Sequence, residues 1–132
     1  KTYEALLVVC QKWYEGKENI LIILPPNLVP QWNRKLEKDF PTVPHVFWNN
    51  SKTLPNEEGI VITTYDIAER RANIIKERDW DLVIFDEADV LSKPDKKMVQ
   101  TIKNAVGLAY KLLLSKSGLI LSLCLFSITF FM

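Results

Sequence analysis

Short, unbroken apolar runs recur along this chain, and they limit its fold more than any other feature. Ile20–Leu24 is closed by Pro25-Pro26, Ile60–Tyr65 is released by Gly59, and Leu82–Phe85 ends on Asp86-Glu87. Runs of this length, bounded by Gly, Pro or carboxylates, suit strands covered on both faces. His45–Trp48 and Ala109–Ser115 read as two further strands. The intervening segments change period. Tyr3, Leu6, Leu7, Cys10, Trp13 and Tyr14 form the stripe of a first amphipathic helix. Asn27 is placed to cap a second helix, whose inner face carries Val29, Trp32, Leu36 and Phe40 and which Pro41 ends. Asp66–Arg78 reads as a charged helix carrying Ile67, Ile74 and Ile75, and its charge run is a solvated face. Pro94 opens a last helix through Val99, Ile102 and Val106, stopped by Gly107. Strand and helix alternate, and right-handed crossovers turn that order into a parallel sheet with helices on both faces. The expected fold is one α/β layer sandwich.

At 132 residues and 48% hydrophobic content the chain can bury a real core as one domain. Its net charge of +1 excludes a bulk electrostatic attraction to nucleic acid, so such a partner would have to meet a local patch. Cys10 and Cys124 lack metal-ligand spacing and read as buried thiols of a reducing compartment, with a disulfide between them as the alternative. Charged residues in the first helix interrupt any secretory signal. The expected location is therefore cytoplasmic or nuclear, not secreted. Residues 117–132, SGLILSLCLFSITFFM, contain no charge. Three readings stand for them: a membrane anchor, though shorter than the roughly 20 residues a span needs; strands ending the sheet; or an apolar tail that is not the native continuation.

The strongest chemical signal is LVIFDEAD, residues 82–89. In an open parallel sheet, ligands gather at the carboxyl ends of the strands. A strand running directly into Asp86 and Glu87 puts both carboxylates on that edge. Asp86 there can hold a magnesium ion on nucleotide phosphates through its water shell, and Glu87 can orient or deprotonate an attacking water. The plainer reading is that acidic residues end strands as caps of turns and helices. The complete DEAD after four apolar residues favours nucleotide hydrolysis. A phosphate-binding partner is then needed on the same edge, and Lys1-Thr2 at the head of the first helix matches the end of G-x-x-x-x-G-K-[ST]. Lys1 would pair with β- and γ-phosphate oxygens, and the Thr2 hydroxyl would complete the magnesium shell.

With these residues in place the chain resembles the first RecA-like domain of the superfamily-two helicases, closest to the Swi/Snf-type DNA-dependent ATPases. KTYEALLVV resembles the end of motif I, and ILIILPPNLVPQWNRKLEKDFP resembles motif Ia. IVITTYDIAER resembles the segment before motif II, WDLVIFDEADVLSKPDKKMVQTIKNA motif II and its following helix, and YKLLLS the strand entering motif III. The match spans residues 1–115 with order and spacing kept. The resemblance implies an incomplete RecA-like P-loop NTPase sandwich with a mainly parallel sheet, using ATP and Mg2+. It assigns Lys1 and Thr2 to the nucleotide, Thr2 and Asp86 to the metal, and Asp86 and Glu87 to catalysis. Asp89 and Ser115 would couple hydrolysis to the nucleic-acid face. Asn27, Thr63, Thr64 and Tyr65 would contact the phosphate backbone of DNA, double-stranded by the PPNLVPQW form of motif Ia. Trp32 reads as core, and His45 is given no role.

The chain also departs from the pattern. The glycines of motif I would lie before residue 1, Lys116-Ser117-Gly118 stands where a small residue, Thr and Pro would follow LLLS, and the second RecA-like domain that the resemblance implies is not among these 132 residues. The expected organisation is a partial ATP-binding domain over 1–116 with an apolar tail over 117–132, a fragment with little turnover alone. The leading function is a piece of an ATP-dependent DNA translocase, whose second RecA-like domain would be its partner. The alternative is a non-catalytic module that binds DNA or a partner protein. A membrane-anchored accessory protein rests on the tail alone; no membrane is expected.

Overall fold

The computed structural model describes residues 2–55, 59–92, 96–115 and 118–122. Helix α1 (Thr2–Tyr14) leads into β1 (Asn19–Leu24), a single 3-10 turn (Pro26–Leu28), α2 (Val29–Asp39) and β2 (His45–Phe47). Strand β3 (Gly59–Thr64) is followed by α3 (Tyr65–Arg70) and α4 (Ala72–Ile75), and then by β4 (Leu82–Phe85). A 3-10 stretch (Ala88–Ser92), α5 (Lys97–Val106), β5 (Tyr110–Ser115) and β6 (Gly118–Ser122) complete the order. The sheet runs β2-β3-β1-β4-β5-β6. Its first five strands are mutually parallel and β6 lies antiparallel on β5, so the expected mainly parallel α/β sandwich is what forms. Residues 118–122 of the uncharged tail thus join the sheet; residues 123–132, and Cys124 with them, lie outside the described residues. No helix among the described residues is long and apolar enough to cross a membrane.

Strand alternation divides the core in two. Ile20, Ile22 and Leu24 of β1, Ile60 and Ile62 of β3, and Leu82 and Ile84 of β4 face α1 and α2, where Leu6, Val9, Trp32 and Leu36 cover them. Leu21, Ile23, Val61, Val83 and Phe85 face the other way, onto Ile67, Ile75, Val99, Ile102 and Val106. Neither face of the central strands meets water, which explains why their sequences lack the polar alternation of a one-sided sheet.

Four local expectations need correction. The buried stripe of α1 is Ala5, Leu6 and Val9, while Leu7 and Tyr14 are 50% and 79% exposed. The small Ala5 lets the helix sit close to the sheet and rotates the stripe away from the larger residues. Asn27 does not cap α2. It lies inside the 3-10 turn, which runs directly into the helix as the Val29 N–H donates to the Pro26 carbonyl, and the cap position is Leu28. Pro30, with no N–H of its own, further reduces the donors that a cap would have to satisfy. The charged helix is broken at Arg71, whose guanidinium donates from Nε to Asn50 Oδ1 and from Nη2 to the Asn50 carbonyl, each at 3.1 Å. Helix α5 begins at Lys97, while Pro94 lies outside the described residues.

Two features secure the ends of elements. Gly107 ends α5 at φ 58°, and the buried Lys111 of β5 donates from Nζ to the carbonyls of Gly107 (2.7 Å) and Ala109 (3.1 Å). Gly59 opens β3 at φ 132°, and a Cβ there would lie 2.5 Å from the Pro44 carbonyl oxygen, which accepts from the Ile60 N–H. Both the backbone angle and that approach exclude a side chain. Gly59→Ala is therefore expected to cost about 2 kcal/mol or more, read as a lower urea midpoint. An unchanged midpoint would show that β2 and β3 do not need this approach.

Candidate active site

The carboxyl rim of the sheet is assembled by register. Leu24 pairs with Thr64 across β1 and β3, Ile23 with Phe85 across β1 and β4, and Phe85 with Leu113 across β4 and β5. The turn after β1, the Thr64-Tyr65 junction, Asp86-Glu87 and Ser115 therefore share one edge. Helix α1 also starts there. Its last residue is joined to β1 by the short segment 15–18, so the helix runs antiparallel to that strand and Thr2 lies at the opposite end from the loop. Lys12 and Lys17 confirm the polarity, since both stand over the ring of Tyr110, the first residue of β5. The helix start and the acidic strand end thus lie on the same rim. Lys1 itself is outside the described residues.

Alternation along β4 also aims Asp86. Leu82 and Ile84 face α1 and α2, and Asp86, two residues on, points the same way. There the Trp32 indole Nε1–H donates to Asp86 Oδ2 at 2.8 Å, while the Glu87 N–H donates to Oδ1, also at 2.8 Å. The Asp86 backbone N–H donates to the Ile23 carbonyl at 2.9 Å, which continues the ladder past the end of β4. Only 2% of Asp86 is exposed. From the other face, the Tyr65 hydroxyl donates to the Asp86 carbonyl at 2.8 Å, and its ring stacks near Phe85. Burial first, and then the negative charges of Asp86, Glu87 and Asp89, push the Tyr65 phenol far above its usual range. It remains a hydrogen-bond donor across physiological pH.

Glu87 carries the site's one unusual backbone angle. Its φ is 51°, in the left-handed region that costs a residue with a Cβ about 1–2 kcal/mol. The side chain is half-buried, and among the described residues nothing pairs with its carboxylate. A hard, oxygen-only pair of this kind suits a magnesium ion that keeps most of its water and borrows phosphate oxygens. Among the described residues each Asp86 oxygen accepts one hydrogen bond, which leaves lone pairs for a metal-bound water. Among the described residues no cluster of three or more His, Cys, Asp or Glu could cage a metal with protein atoms alone.

The other expected site residues fall into two groups. Asn27 is exposed on the turn after β1, Asp89 is exposed on the 3-10 stretch, and Ser115 ends β5 on the same rim. Thr63, Thr64 and Tyr65 are buried, and their hydroxyls work inside the protein. Thr63 donates to the Trp48 carbonyl at 3.2 Å, and Thr64 Oγ1 accepts from the Ile67 N–H at 3.3 Å as the N-cap of α3. These hydroxyls are thus engaged within the protein, by the loop after β2, the start of α3 and the end of β4. Trp32 is core as expected, but it is also a donor to the carboxylate. No sequence signal marks that role, since the two residues are 54 positions apart. Cys10, expected to be buried, is half-buried, and what burial it has pushes its pKa up.

Relief of the Glu87 strain is measurable. Glu87→Gly is expected to raise stability by about 0.5–1 kcal/mol, the left-handed cost less the entropy of an added glycine. A thermal midpoint that rises with loss of the carboxylate supports this; a lower midpoint shows that Glu87 stabilises the fold.

The profile of the SNF2-related domain matches residues 3–121. Among relatives, the uncharacterized ATP-dependent helicase YqhH of Bacillus subtilis is 34% identical over 109 residues, 80% of this chain and 19% of that protein. The SWI/SNF-related matrix-associated actin-dependent regulator of chromatin subfamily A-like protein 1 of Drosophila melanogaster is 26% identical over 117 residues, 86% of this chain and 15% of that protein. The chain spans less than a fifth of either relative. Among solved structures, the Sulfolobus solfataricus SWI2/SNF2 ATPase core in complex with dsDNA superposes with a TM-score of 0.77 at 24% identity, over 87% of this chain and 25% of that one. The ATPase core domain from the same organism gives 0.71 at 22% identity. With that profile spanning nearly all of its residues, the chain belongs to the SNF2-related family and carries part of the first RecA-like domain.

Proposed function

We propose that this chain is the nucleotide-binding portion of an ATP-dependent DNA translocase, acting on duplex DNA together with a second RecA-like domain. The observation that carries the reading is the acidic end of β4. A carboxylate gripped by Trp32 and the Glu87 N–H is followed at once by a second carboxylate with no described partner, on the rim where α1 begins. Lys1 and Thr2 bind the phosphates, and Thr2 and Asp86 hold Mg2+, with Asp86 acting through bound water. The magnesium ion, when bound, neutralises charge on the β- and γ-phosphate oxygens. Glu87 orients the attacking water and takes its proton. Asp89 and Ser115 pass the change to the nucleic-acid face. On that face Asn27 supplies a side-chain contact to a DNA phosphate, since it is exposed where Thr63 and Tyr65 are not.

Support for DNA comes from the family and from the duplex held by the Sulfolobus core. The chromatin and helicase names of the relatives agree with a cytoplasmic or nuclear location. Residues 1–116 form the nucleotide-binding unit, and 117–132 are an apolar appendage whose first part pairs with β5. The isolated chain turns over little ATP, because phosphoryl transfer needs charge stabilisation from the facing domain.

The test is ATP hydrolysis by the full-length protein that carries these residues, with and without duplex DNA. Glu87→Gln is expected to lower kcat by about 10²–10⁴-fold while ATP still binds, and Asp86→Asn to raise the Mg2+ concentration required. DNA binding with no hydrolysis in any form would instead identify a non-catalytic module. Undiminished turnover in Glu87→Gln would end the catalytic assignment.

A further inference from the structure

The peptide between Asp86 and Glu87 is held at both of its polar ends. Its carbonyl oxygen accepts from the Tyr65 hydroxyl at 2.8 Å, and its N–H donates at 2.8 Å to Asp86 Oδ1, on a carboxylate that Trp32 holds by the other oxygen. A peptide plane turns only by changing ψ of the residue before it and φ of the residue after it. The chain on the far side is anchored too, by the 3-10 stretch Ala88–Ser92 with Ala88 and Leu91 buried, so fixing this plane as well fixes the φ of Glu87 and the direction in which its side chain leaves the backbone. The observed φ of 51° is intrinsically unfavourable for glutamate, so the plane would turn toward an ordinary angle if the grip were released. The grip comes from opposite faces of the sheet, since Trp32 belongs to the α1/α2 side and Tyr65 to the α3–α5 side.

We propose that Tyr65 is a positioning residue for ATP hydrolysis: its hydroxyl, through the Asp86 carbonyl, holds Glu87 in the left-handed conformation that aims the carboxylate at the water. The inference rests on the proposed ATPase reading and adds to it a residue that touches neither nucleotide nor metal. The placement of Tyr65 suits it to the task. It is the first residue of α3, directly after the Thr64 cap, so its ring is anchored by a helix start as well as by Phe85. The position of Glu87 is thereby tied to the end of β3 as well as to β4.

Tyr65→Phe in the full-length protein removes the one donor and keeps the ring. The expected result is a kcat about tenfold lower, with KM for ATP changed less than about twofold, and a crystal structure of the variant in which the φ of Glu87 has become negative. Glu87→Gln is measured alongside. Should it hydrolyse ATP as fast as the wild type, the catalytic reading fails and this inference fails with it. If Glu87→Gln is inactive as expected, two results overturn the role of Tyr65 alone: an unchanged kcat in Tyr65→Phe, or a Glu87 that stays left-handed there. A loss of kcat matched by an equal loss of ATP affinity also overturns it, since general disruption of the rim would do the same.

Discussion

Strands buried on both faces have only their ends available for chemistry, and the rest of this molecule follows from that constraint. The central strands send one set of side chains into α1 and α2 and the other into α3–α5. A charged side chain within such a strand has to leave water and needs partners built in for it, as Lys111 of β5 has in the carbonyls of Gly107 and Ala109. Asp86 stands one residue past the last apolar position of β4, still in register with β1 but at the boundary of the layer. There its charge meets an indole N–H and a backbone N–H. Charge-assisted hydrogen bonds of this kind make near-complete burial tolerable and hold the carboxylate in one orientation.

The same constraint accounts for the roles of Trp32 and Tyr65. Each covers the sheet with an apolar ring and carries a polar group that must find a partner when buried. Near the rim, the available partners are the Asp86 carboxylate and the Asp86 carbonyl. Packing and site geometry are thus one arrangement, because the rings that seal the two core layers also carry the donors that fix the acidic strand end. The strain at Glu87 is sustained by this surrounding structure, and no local sequence preference calls for it.

The apolar runs made the sheet legible, because a strand buried on both faces leaves an unmistakable string such as ILIIL or LVIF. The acidic end of β4 was legible for a similar reason, since chemistry follows directly on burial there. Legibility declined where tertiary contacts decide. The periodicity of α1 favoured its large residues, yet Ala5 sets the buried stripe by allowing close approach. The Asp66–Arg78 segment has helical composition throughout, but the bonds of Arg71 to Asn50 break it, and they depend on a loop more than twenty residues earlier. The hydroxyls of Thr63 and Tyr65 have the chemistry of phosphate contacts; only the fold reveals that they face inward.

Lys111 has a consequence for how the last third of the molecule holds together. Its ammonium, buried in β5, is the group that satisfies the carbonyls where α5 gives way to the strand. Unwinding the final turn of α5 would take the Gly107 carbonyl away from that ammonium, and drawing β5 out of the sheet would take the ammonium away from the end of the helix. The helix end and the strand are consequently coupled through this one side chain. This edge of the domain should protect its amides from solvent exchange as one cooperative block rather than residue by residue.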